Sequence, residues 1–197
     1  MAEMADLVHI EEIMRKRLNE ELYQHSLGVA QTASLLAGRY GVEARKAYLT
    51  GLVHDFGKSY TPAELRRLAE RKRLALDWVA LAEPKLLHAP VGAALLAEEF
   101  GISDPQIVRA VALHTTGGRE MNLFDKVIYL ADVIEPGRSY SGVEEIREAA
   151  FKDLESALLL AVNNTIRSVL ARDMLLHPDS IEFRNSLLAA KKGMEGG

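Results

Sequence analysis

The chain contains no cysteine among its 197 residues. Disulfide scaffolds and thiolate metal sites are therefore excluded, and a reducing compartment is compatible with the composition. Only six prolines and 6% aromatic residues occur, while Ala, Leu, Glu, Lys and Arg abound; that balance favours helix. No apolar run approaches the length of a membrane span. Met1 to Glu21 is studded with charges and holds no apolar signal stretch. There is no basic excess either. A net charge of −4 argues against a protein that coats nucleic acid. It leaves a phosphate substrate open, because a bound metal supplies local positive charge. These absences are those of a cytoplasmic globular protein without membrane or nucleic-acid partners, and 48% apolar residues suffice for a core.

Helical periodicity runs through the whole chain, and no stretch alternates apolar and polar residues as a strand does. The spacing predicts a first helix over 5–18, with Leu7, Ile10, Met14 and Leu18 on one face. Asn19 reads as an N-cap for a helix to about Arg39, with Gly41 as its stop. A helix over 43–54 follows and Gly57 ends it. Thr61-Pro62-Ala63-Glu64, Ser103-Asp104-Pro105-Gln106 and Ser141-Gly142-Val143-Glu144 each read as a capping box. The stretch 74–84 is ambiguous, with a short helix from Asp77 as one reading. Pro90 belongs to the first turn of a helix that stops at Gly101, and Asn122 caps one that carries Asp132 and ends at Pro136-Gly137. A long helix covers about Asp153 to Arg172. Asp179 or Ser180 caps the last helix, and 190–197 reads as a frayed tail. The expectation is an all-α bundle of about nine or ten helices. Its parts are an N-terminal helical extension over 1–17, one domain over 18–189 and a flexible tail over 190–197.

The chemistry lies in six residues: His25, the adjacent pair His54-Asp55, His88, His114 and Asp132. All fall near predicted helix ends or on inward faces. Neutral imidazoles and carboxylates suit a borderline or hard divalent cation. Any one of these residues is more often a buried histidine or a helix cap than a ligand; six together in a histidine-poor chain point to a metal or catalytic site. His25, His54, Asp55 and Asp132 would supply four ligands from three helices and leave positions for water, whose pKa a divalent ion brings toward neutrality. The two oxygens of Asp55 allow a bridge to a second ion held by His88 and His114. The competing role for His88 and His114 is hydrogen bonding or proton donation to phosphate, so Asp55, His88 and His114 are the candidate catalytic groups. Lys58 and Arg138 offer charge to phosphates, and Thr115 a hydroxyl or backbone N–H. Each of these three also has an ordinary surface reading. Glu135 reads as a helix-end residue, His9 as structural or exposed, and Trp78 as core rather than a base-stacking platform.

The stretches HSLGVA at His25, GLVHDFGK ending at Lys58, LLHAPVGA around His88, ALHTTGGREM ending at Met121, YLADVIEPGR ending at Arg138 and LLHPDSIEFRN ending at Asn185 together resemble the YqeK-type HD-domain proteins. These are the bacterial symmetrical bis(5′-nucleosyl)-tetraphosphatases. The HD pair alone is shared by many phosphohydrolases; the HTTG, ADVIEPGR and HPDS stretches are the specific ones. The resemblance spans about Leu18 to Asn185. It implies an HD-domain helical bundle that hydrolyses diadenosine tetraphosphate to two ADP, with iron as the metal and manganese or cobalt as alternatives. It implies metal ligation by His25, His54, Asp55 and Asp132. The implied nucleotide contacts are His25, Asp55 and Asp132 together with Lys58, His88, His114, Thr115, Arg138 and the loop Leu175, Leu176, His177, Pro178, Asp179 and Ser180. Family members often carry a basic residue at the position of Leu22, so the pocket departs from the pattern there. Two other readings stay open. One is an HD-type phosphohydrolase acting on a mononucleotide, deoxynucleotide or cyclic nucleotide; the other is a non-catalytic nucleotide-binding regulator. The oligomeric state is open, a homodimer included.

Overall fold

The computed structural model describes residues 2–193, which form eleven α-helices and two 3₁₀ turns with no strand. In chain order these are α1 (Ala2–Arg17), α2 (Glu20–Tyr40), α3 (Ala44–Val53), a 3₁₀ turn (Phe56–Ser59), α4 (Pro62–Arg71), α5 (Trp78–Ala82) and a second 3₁₀ turn (Pro84–Leu87). The second half follows with α6 (His88–Phe100), α7 (Pro105–Leu113), α8 (Leu123–Ile134), α9 (Val143–Ala150), α10 (Leu154–Ala171) and α11 (Pro178–Lys191). The all-α expectation holds. The helix beyond the expected ten is α5, which Asp77 caps by accepting from the Ala80 N–H.

Helix starts follow cap chemistry, in three places differently from the sequence reading. Asn19 and Thr61 cap α2 and α4 as expected, and Asn122 forms a reciprocal box with Asp125. At α7, however, the cap is Asp104 and not Ser103: Pro105 takes the first helical position, and Asp104 accepts from the Gln106 N–H at 2.8 Å. At α9 the N-cap is Gly142 at φ 90°, a left-handed conformation that serine avoids, and no side chain caps it. At α11 the helix begins before the expected Asp179, because Pro178 occupies its first position and the His177 ring accepts from the Asp179 N–H. Its other end runs through Lys191, so Ala190 and Lys191 are helical where a tail was expected; residues 194–197 of that tail lie outside the described residues. Trp78 is 67% exposed rather than in the core, since Val79 and Ala80 take the inward positions of the short α5.

Two apolar clusters make the core. One joins α8, α10 and α11 through Ile128, Leu130, Leu158, Val162 and Phe183. The other joins α1 and α6 through Met14, Val91 and Leu96. The helices α2, α3 and α7 contribute to both, with Val29 and Ala30, Ala47 and Leu52, and Ala110 and Val111 divided between them. These three helices therefore form the seam between the cores, and they carry His25, His54 and His114. Among the described residues no helix is long and apolar enough to cross a membrane.

Two backbone approaches fix the seam. A Cβ on Gly51 would meet the Ala30 Cα at 2.8 Å, so α2 and α3 pack almost backbone to backbone. A Cβ on Gly57 would meet the His88 carbonyl oxygen at 2.1 Å, so the first 3₁₀ turn is pressed against the start of α6. The first approach brings the His25 and His54 rings to 5.2 Å; the second sets Asp55 beside His88. Because the obstructing atoms are backbone, neither can yield by changing a rotamer. Gly51→Ala and Gly57→Ala are each expected to destabilise the fold by about 1–3 kcal/mol through overpacking, read as a lowered denaturation midpoint at unchanged m. Unaltered midpoints for both would contradict the packing described.

Candidate metal centre and active site

Three of the four central imidazoles are aimed by one local device. His54 is the C-cap of α3, His114 the C-cap of α7, and His88 follows the second 3₁₀ turn. In each the Nδ1–H donates to the carbonyl three residues earlier: His54 to Gly51 at 2.6 Å, His88 to Lys85 at 2.5 Å and His114 to Val111 at 2.7 Å. A carbonyl can only accept, so the proton sits on Nδ1 and the Nε2 lone pair is left facing inward. His25 comes from the middle of α2, with Nδ1 3.1 Å from Glu135 Oε1.

Asp55 sits between two sets of these nitrogens, fully buried. Its Oδ2 lies 3.4 Å from His25 Nε2 and 3.3 Å from His54 Nε2. Its Oδ1 lies 3.3 Å from His88 Nε2 and 3.4 Å from His114 Nε2. Asp132, on the last turn of α8, closes the first set, with Oδ1 3.0 Å from His25 Nε2 and 3.7 Å from His54 Nε2. The six residues singled out in the sequence thus converge. Three overlapping trios among them offer ligand atoms within 4.8 Å of one another.

The donor set fits a divalent cation. His54 Nε2 and Asp55 Oδ1 are buried without a hydrogen bond, a costly state for polar atoms unless a cation engages them. The Nε2 atoms of His88 and His114 face each other at 3.1 Å, and Thr115 Oγ1 lies 3.1 Å from both. One hydroxyl proton can satisfy only one of the two lone pairs. The carboxylates are held as anions. Burial alone would raise Asp55, but the imidazoles of His54, His114 and His25 around it bring it well below the usual carboxylate range. Burial opposes Asp132 likewise, and the hydrogen bond from His25 with the nearby Arg138 charge outweighs it. Burial lowers His88 despite the neighbouring Asp55 carboxylate and so favours the neutral imidazole. Burial would also lower His25, yet its bonds to Asp132 and Asp55 raise it to about 9, so an ion at His25 must displace a proton.

Lys58 and Arg138 flank the carboxylates. Lys58 Nζ is 2.6 Å from Asp55 Oδ2, and the Arg138 guanidinium is 2.5 Å from Asp132 Oδ1. Both line a cavity of about 610 Å³ together with His88, Thr115, Leu175, Leu176, His177 and Ser180. Of the remaining loop residues, Asp179 lines a smaller neighbouring cavity and Pro178 lines none of those described. Leu22 does not share the larger cavity. With His25 it lines a separate one of about 570 Å³, which also reaches Lys58 and Arg138.

Two residues escaped the sequence reading. Glu135 is no mere helix end: it is buried, accepts from the Gly137 N–H at 2.6 Å and holds His25 Nδ1. Its place three residues after Asp132, on the same face one turn along, was the available signal. Arg147 donates to the carbonyls of Ile134, Glu135 and Arg138 at 2.6–2.9 Å and so clamps the loop between Asp132 and Arg138; only the fold reveals it. Glu135→Ala is expected to weaken metal affinity roughly 10–100-fold by freeing His25, read by metal titration, with Glu135→Gln retaining more. Equal affinity in all three proteins would remove Glu135 from the site.

A helical bundle that gathers His25, the His54-Asp55 pair and Asp132 around one point is the architecture of a metal-dependent HD-type phosphohydrolase. The chain belongs to the HD-domain family, whose model matches residues 22–137. It is 39% identical to the symmetrical bis(5′-nucleosyl)-tetraphosphatase of Halalkalibacterium halodurans, over 92% of this chain and 96% of that one. It is 36% identical to the protein of the same name from Bacillus subtilis, over 89% and 94%. A crystal structure of a predicted HD superfamily hydrolase involved in NAD metabolism, from Clostridium acetobutylicum, superposes with a TM-score of 0.90 at 38% identity, covering 93% of this chain and 97% of that one.

Proposed function

We propose that this protein hydrolyses diadenosine tetraphosphate symmetrically to two ADP, as a cytoplasmic enzyme dependent on a divalent metal, iron foremost. The observation that carries the reading is Asp55, whose two oxygens are divided between the His25–His54 and His88–His114 nitrogens. His25, His54, Asp55 and Asp132 would hold one ion, and His88 and His114 with Asp55 a second. When bound, the metal lowers the pKa of a water ligand toward neutrality and so supplies a nucleophile.

The residues of the chain do the rest. The seam between the two cores holds the ligands rigidly and excludes bulk water from Asp55, which is 0% exposed. Lys58 and Arg138, both about one-third exposed, sit where phosphates on either side of the cleaved bond would need neutralising. Thr115 can donate to a phosphate oxygen; with no second ion bound, His88, favoured in its neutral form, would instead accept or relay a proton at Nε2. Water adds to an inner phosphorus, the bridging P–O bond breaks, and ADP leaves with the bond's electron pair. ADP is a good leaving group, so no strong protein acid is required at that oxygen. The loop from Leu175 to Ser180 would receive a nucleoside. Run in oxygen-18 water, the reaction is expected to place one labelled oxygen on the terminal phosphate of half of the ADP formed. ATP plus AMP as products would show asymmetric cleavage. No reaction with this substrate, beside fast phosphate release from a mononucleotide, would favour a different nucleotide.

A further inference from the structure

A symmetrical substrate has two nucleosides, and of the cavities beside the metal centre two are large enough to take one each. The larger has apolar walls, including Tyr60, Leu65, Leu86, Met174 and Leu175, and His88 opens into it. The other is walled by α2 and the Pro136-Gly137 turn, and His25 opens into it. They meet at Lys58 and Arg138, the residues common to both. A polyphosphate crossing Asp55 from the His88 side to the His25 side would therefore leave the first cavity and enter the second.

We infer that the second cavity, beneath Leu22 and Leu27 of α2, is the site of the second nucleoside. This rests on the proposed hydrolysis of a dinucleoside tetraphosphate. At about 570 Å³ the cavity lies within the usual range of small-ligand sites. Its charges exclude it as a further phosphate site: Glu21 and Glu135 line it, and its cations, Lys58 and Arg138, stand at the boundary with the first cavity. Half-buried Leu22 and Leu27 offer apolar contact for a base. Exposed Glu21 and Gln31 at the rim can take hydrogen bonds from ribose hydroxyls and base edges. The third cavity, about 320 Å³ beside Asp132, is a poorer candidate because it shares Thr115, Thr165 and Arg172 with the first and does not reach Lys58. The cleft thus treats the two identical halves of its substrate differently, one in a more apolar cavity and the other in a more polar one.

Comparing diadenosine tetraphosphate with adenosine 5′-tetraphosphate, which lacks the second nucleoside, tests this. The wild type is expected to prefer the dinucleoside in kcat/KM by roughly tenfold or more, since contacts remote from the reacting bond contribute to the transition state. Gln31→Trp, at an exposed position that tolerates a large side chain, is expected to change kcat/KM for the dinucleoside by at least roughly fivefold and leave adenosine tetraphosphate unchanged. Leu175→Glu, in the first cavity, is expected to lower both. Equal wild-type kcat/KM for the two substrates, or a Gln31→Trp effect that is the same on both or absent from both, would overturn the second site while leaving the hydrolase reading intact. No turnover of either substrate by the wild type overturns the hydrolase reading, and this inference with it.

Discussion

Asp55→Ala is expected to lower turnover of diadenosine tetraphosphate by roughly three orders of magnitude or more, and Lys58→Ala by roughly one to two. The order follows from what each side chain touches. Among the described residues Asp55 is the only one whose oxygens reach both nitrogen pairs, His25 with His54 and His88 with His114. Its removal takes the shared anion from both sets, leaving Asp132 as the carboxylate of the first set and none in the second. Lys58 touches the same carboxylate from outside, at 2.6 Å, with its side chain one-third exposed. Losing it removes one solvent-screened charge from the phosphate path and leaves the ligand set whole. The measurement is kcat alongside metal content for both variants. A larger loss for Lys58→Ala with metal content intact would mean the reaction is centred elsewhere.

Exhaustive removal of divalent metal is expected to abolish activity, and ferrous, manganous or cobaltous ion to restore part of it. The ligand chemistry sets this breadth: imidazole and carboxylate donors suit all three ions, and the chain has no thiolate to favour a soft one. The protein without metal is also expected to melt at a lower temperature, because an ion that binds only the folded ligand set stabilises by mass action. Full activity after metal removal, verified by elemental analysis, would sink the proposed source of the nucleophile.

The residues that the sequence made legible are those whose spacing or chemistry is local. His54-Asp55 adjacency, the Thr61 box, the Asn122 cap and the Gly41 and Gly101 stops are each set by neighbours within a turn, and each appears where expected. The convergence of the six site residues and the division of Asp55's two oxygens between the His25–His54 and His88–His114 sets could be expected from their chemistry; what the sequence does not reveal is the contact that fixes it, α6 pressed against Gly57. Glu135 was misjudged because its partner, His25, lies 110 residues away. Trp78 was misplaced because a five-residue helix has too little length for its periodicity to fix an inward face. At α7, α9 and α11 the cap moved by one to three residues because Pro105, Gly142 and Pro178 each fixed a backbone angle that outweighed the side-chain signal.

Three of the helices that carry the ligands, α3, α7 and α8, point their C-terminal ends at the centre. His54 and His114 are C-caps, and Asp132 lies on the last turn of α8. The C-terminus of a helix carries partial negative charge, about half an elementary unit. Three such ends and two carboxylates set a negative potential at the floor of the cleft, which Lys58 and Arg138 oppose from the cavity side. On the proposed reading a divalent ion would be drawn to that floor, and its charge would complete the reversal of potential that a tetraphosphate needs. The order expected is ion first and substrate second, with each ADP departing while the ion stays behind.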